Sequence, residues 1–76
     1  MNNYRRKELS TLLATLEEVK DTLETLKDEE ETCRDNMPEN LWGSERYEMA
    51  DEAVSNMEDA ISSLEDAISG IEAAQE

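Results

Sequence analysis

The sequence predicts an all-α protein, an antiparallel helical hairpin of the coiled-coil type that pairs with a second hairpin into a four-helix bundle. Three observations point there. Two long segments carry apolar residues at alternating spacings of three and four. One strong break separates them. The first segment also carries basic residues along the edge where the second presents acids.

The first segment runs through Leu9, Leu12, Leu16, Val19, Leu23 and Leu26, with Leu9 taken as position a of a heptad. Glu30 and Cys33 continue the pattern with weaker residues, so Cys33, at d, reads as a small core residue. The repeat is visible in the letters: Thr15-Leu16-Glu17-Glu18-Val19-Lys20-Asp21 is followed by Thr22-Leu23-Glu24-Thr25-Leu26-Lys27-Asp28.

The break lies in Asn36-Met37-Pro38-Glu39-Asn40-Leu41-Trp42-Gly43. Proline pushes the residue before it out of the helical region. Gly43 accepts a positive φ, and Ser44 suits the N-cap of a following helix. The predicted division is one hairpin domain over 1–76, with a first helix at 3–35, a loop at 36–43 and a second helix at 44–74. Met37 and Leu41 are expected to fold down and close the end of the bundle beside Cys33 and Tyr47.

The second segment keeps the same spacing through Tyr47, Ala50, Val54, Met57, Ile61, Leu64, Ile68 and Ile71. Its e positions are Asp51, Glu58, Glu65 and Glu72, whereas those of the first helix are Arg6, Leu13, Lys20, Lys27 and Arg34. Antiparallel helices set e against e. Partners whose numbers sum to 78 would pair Arg6 with Glu72, Lys20 with Glu58 and Lys27 with Asp51; a neighbouring alignment, sum 80, stacks Leu9 on Ile71 and Leu16 on Leu64. The g positions of the second helix are Ala53, Ala60, Ala67 and Ala74, a smooth strip that another helix can approach closely. This column is the reason to expect a homodimer.

Composition narrows function. The 76 residues include 21 acidic and 7 basic ones, for a net charge of −14. Such a chain repels nucleic acid and anionic membranes, so direct binding to either is not expected. Cys33 is the only cysteine, no apolar run approaches a membrane span, and no signal peptide follows the basic start Tyr4-Arg5-Arg6-Lys7; these features predict a cytoplasmic location. With no His and no nucleophile beside a base, neither an enzyme nor a cofactor or metal is expected. A pattern of Glu17, Glu18, Asp21, Glu48 and Asp51 is faintly similar to the magnesium site of all-helical nucleotide pyrophosphohydrolases. Its glutamates fall at solvent-facing heptad positions, against that reading.

Two features carry the interaction reading. Glu58-Asp59 and Glu65-Asp66 recur one heptad apart, about 10.5 Å along a helix. Such a row of carboxylates fits a cationic groove. At the loop, Trp42 stands beside Glu39, Asn40 and Arg46, the usual setting of a binding anchor.

The block Asn36-Met37-Pro38-Glu39-Asn40-Leu41-Trp42-Gly43-Ser44-Glu45-Arg46-Tyr47-Glu48 and the acidic, alanine-rich helix after it resemble a family of small acidic hairpin proteins of phages and mobile elements of Gram-positive bacteria. The resemblance covers most of the chain. Position 42 departs from the family's glutamine, so no role passes to Trp42 by that route. The resemblance implies no activity. It implies a phage-type setting, in which very small acidic proteins inhibit host defence. The combined expectation is a non-enzymatic accessory protein that binds a protein partner, such as a host defence protein, through its acidic second helix and its loop. The alternatives are a DNA mimic, an oligomer holding a nucleotide at Arg5, Arg6, Lys7 or Arg46, and a purely self-assembling bundle.

Overall fold

The computed structural model describes all 76 residues. Two helices, α1 (Asn3–Asp35) and α2 (Glu45–Ala74), pack antiparallel as a hairpin, with one 3₁₀ turn at Glu39–Leu41 between them. The Cα trace spans a rod of 59 × 14 × 13 Å, and side chains widen it on every side.

Each helix begins on a side-chain cap. Asn2 accepts a hydrogen bond from the Arg5 amide at 2.8 Å, and the Ser44 hydroxyl accepts one from the Tyr47 amide at 3.3 Å. Glu45 and Glu48 in the first turn of α2, and Arg34 in the last turn of α1, complement the helix dipoles. Between the helices, Gly43 takes φ +86°, the only positive φ in the chain. A β-carbon there would meet no atom within 4 Å, so the demand for glycine is purely conformational.

The core is small and one-sided. Only Ala50, Val54, Ile61 and Ile68 are buried, and all four lie on α2; α1 has no buried residue. The half-buried residues of α1 are Leu9, Leu13, Leu16, Lys20, Leu23, Lys27, Glu30 and Arg34, with Glu24 and Glu31 beside them. Apart from those two glutamates, these are positions a and e. The expected a/d seam therefore needs correction on α1. The apolar arc of this helix spans d, a and e, wider than one neighbour covers, and α2 takes the a/e edge. The stems of Lys20, Lys27 and Arg34 lie along that seam while their charged ends reach solvent. Leu12, Val19 and Leu26 stay about half exposed, and Cys33 is exposed rather than buried.

The alignment also differs from expectation. Arg34 Nη1 meets Asp51 Oδ1 at 2.7 Å, and Gln75 Nε2 donates to Ser10 Oγ at 2.8 Å; the residue numbers sum to 85 in both pairs. Position e still faces e, but displaced by one heptad from the sum of 78. Arg6–Glu72, Lys20–Glu58 and Lys27–Asp51 are consequently not formed, and the Leu9–Ile71 stack is lost with them. The loop explains the shift. Met37, Pro38 and the 3₁₀ turn carry the chain onward past the end of α1, and it crosses over only at Trp42-Gly43. That crossover sets the symmetry point of the hairpin. At the far end the first turns of α1 overhang the end of α2, leaving Tyr4 71 % exposed.

Replacing Gly43 by Ala tests the crossover. The left-handed backbone should cost about 1–2 kcal/mol, seen as a lower midpoint in chemical denaturation with an unchanged slope.

Candidate interaction surfaces

The two flanks of the hairpin differ sharply in charge. On the e-edge, a shallow depression around Lys27 is bordered by Glu24, Asp28 and Glu58. A second, around Lys20, is bordered by Glu17, Asp21, Glu65 and Glu72. Carboxylates of both helices therefore share this flank. The expected acidic row on α2 is only half of it. Glu17, Glu24 and Glu31, together with Asp21, Asp28 and Asp35, recur every seventh residue on α1, and that spacing was the available signal.

Within this flank the four expected carboxylates separate into two pairs. Glu58 and Glu65 border the groove between the helices. Asp59 and Asp66 are exposed and lie about 100° further round α2, on its outer back. Two of the seven basic residues, Lys27 and Arg34, are held by acids. Lys27 Nζ lies 2.9 Å from Asp28 Oδ1 and 3.4 Å from Glu31 Oε2, so it bridges within its own helix. The hydrogen bond to Asp28 holds the Lys27 ammonium above its usual value of 10.5; partial desolvation opposes this and Glu31 adds to it. Arg34 is likewise held high, first by Asp35, against some desolvation, and then by Asp51. Both shifts are upward in cations. Their contribution to stability is thus complete at neutral pH and is lost only in alkali, for Lys27 as the pH climbs beyond 10.5.

The loop forms a separate surface at the tip. The Trp42 indole N–H donates to the Met37 carbonyl at 3.0 Å, and its ring lies 6.0 Å from that of Tyr47, tilted by 36°. The ring nevertheless remains 52 % exposed. Glu39, Asn40 and Arg46 around it are exposed as well. Met37 is half-buried and Leu41 is 44 % exposed, so the expected plug consists of Met37 without Leu41. The loop and the acidic flank are not one site. Glu58 lies 14 residues beyond Ser44, about 21 Å along α2.

The magnesium-like pattern is pulled apart by the alignment. Residue 48 stands opposite residue 37, some 20 residues along α1 from Glu17, which separates the two glutamates by about 30 Å. No group of acidic or cysteine side chains in the structure has the geometry to hold a metal ion. No helix is long and apolar enough to cross a membrane.

Fold and surfaces together define an all-helical antiparallel hairpin with one acidic flank and one flank that carries few charges. Comparison with protein-family models, with curated proteins and with solved structures finds no match.

The ion pair that marks the alignment can be measured. Asp51 is 61 % exposed, so a double-mutant cycle of Arg34→Ala and Asp51→Ala should give a coupling of about 0–1 kcal/mol that shrinks with added salt.

Proposed function

We propose that the protein is a non-enzymatic interaction protein that occupies a basic surface of a macromolecular partner with its carboxylate-rich flank. The observation that carries this reading is the segregation of charge. From Met49 to Ala74, every acid of α2 lies at positions e and f, and the c, d and g positions carry no charge at all. The acids of the middle of α1 fall mainly at b and f, and several border the same groove. A chain that needed charge only for solubility would gain as much from carboxylates spread over every exposed position.

The rigid rod supports the reading further. Carboxylates repeating at about 10.5 Å on two linked helices meet a cationic groove without any ordering of flexible segments, so little entropy is lost on binding. A groove that normally holds nucleic acid is the sharpest form of such a partner, with the hairpin acting as its mimic. The loop's likeness to phage and mobile-element proteins supports a host-defence protein in that role. Trp42 would then act as a second contact, at the tip.

The test is capture of binding proteins from nuclease-treated host lysate at low salt. Wild type should retain a basic protein whose binding falls steeply as ionic strength rises. Changing Glu58, Asp59, Glu65 and Asp66 together to Lys should reduce retention by at least about 100-fold, equivalent to about 2.7 kcal/mol. If the reversed variant retains the partner as well as wild type does, the flank is only a solvated surface. Trp42→Ala, assayed alongside, should weaken retention by a smaller factor while helicity by circular dichroism stays unchanged; loss in this variant alone would move the site to the loop.

A further inference from the structure

We infer that the charge-poor flank is the docking surface for a second copy of this chain, with Leu12, Val19 and Leu26 of α1 at its centre. The sequence pattern places these three in the seam between the two helices. The structure places them outside it. They are 50 %, 48 % and 49 % exposed, seven residues apart, in one straight column. Cys33 prolongs the column, and beyond it Met49, 64 % exposed, and Ala53 border the same depression as Cys33. The alanines Ala60, Ala67 and Ala74 continue the flank along α2. Both g edges of an antiparallel pair lie on the same side, so leucine column and alanine column face one direction.

Charge selects the occupant. Two chains of net charge −14 repel on any approach that opposes their acidic columns. On this flank the c, d and g positions carry only Glu18 and Glu29 between Thr11 and Cys33, and nothing charged between Met49 and Ala74. It is the side on which two copies can meet with their carboxylates pointing away from each other. A basic partner is drawn to the opposite side. The same patch on both copies makes a self-complementary two-fold contact.

Three of the five threonine hydroxyls on the flank also fit burial. All five threonines of the chain lie at c or g of α1. The hydroxyls of Thr11, Thr15 and Thr25 donate to the carbonyls of Lys7, Thr11 and Asp21 at 3.2, 3.1 and 3.1 Å. Those donors are satisfied inside the helix and lose no bond when water leaves. The area suffices. The column from Leu12 to Cys33 is about 32 Å long and a two-helix face about 20 Å wide, so two copies bury roughly 1,200–1,300 Å², above the roughly 1,000 Å² of a specific interface. Pairing also supplies what the hairpin lacks, since four buried side chains are a thin core for a chain of this size.

Sedimentation equilibrium and thermal melting from about 1 to about 100 µM test this. Wild type should sediment at twice the 8.7 kDa chain mass and melt at a temperature that rises with concentration. The double variant Val19→Glu, Leu26→Glu should sediment as a single chain at the same concentrations, whereas Asp59→Lys on the acidic side should remain paired. Should the double variant fail to fold, Leu26→Asn, uncharged and of similar volume, keeps the test open: its dissociation constant should rise at least about 10-fold. A single-chain mass for wild type at about 100 µM with concentration-independent melting overturns the inference and leaves the flank to a different partner. So does a double variant that still pairs with unaltered affinity.

Discussion

Everything in this molecule follows from how the seam of Val54, Ile61 and Ile68 is seated on α1. These side chains lie seven residues apart on α2 and, with Ala50, are the buried ones, so they fix the rotation of α1, while the loop fixes its height along the rod. Once α1 turns its a/e edge to them, Lys20, Lys27 and Arg34 must lie across the groove, with their stems covering aliphatic surface and their heads among carboxylates. The same rotation turns the d column outward. The acidic flank and the charge-poor flank are therefore two consequences of a single packing choice.

The architecture was legible because the signals for it are local and redundant. Heptad spacing names two helices, Pro38 and Gly43 name the turn, and Ser44 supplies the start of α2. The direction of the pairing was legible in charge, since basic e positions on α1 call for acidic e positions on α2. Its height was not. A pattern that repeats every seven residues looks the same after a slide of seven, and Arg34 finds an acid at Asp51 as readily as Lys27 would have. What decides between the two alignments is the path of Met37–Leu41, which depends on how a short turn stacks on a helix end rather than on any periodic signal.

The candidate surfaces were legible in part. The acids of α2 stand out in the sequence because they come as neighbouring pairs. Those of α1 are interleaved with basic and threonine residues, and their contribution becomes visible only where Glu17, Asp21, Glu24 and Asp28 border the same groove as Glu58, Glu65 and Glu72. Cys33 and Leu26 lie outside the seam for a related reason. The heptad rule assigns d to the interior of a two-stranded coil, but an apolar arc running from d through a to e has two edges, and its letters do not say which edge a single neighbour will take.

The crossover at Trp42-Gly43 carries a last consequence. In a chain whose helices are nearly translationally symmetric, alternatives one heptad apart are close in energy, and the rigid turn is the element that makes them unequal. Such a hairpin resembles a vernier whose zero mark is the loop. Adding or removing a whole heptad from both arms would leave the seam, the ion pairs and both flanks intact, so the length of the rod can drift over evolutionary time while its cross-section and its turn stay constant.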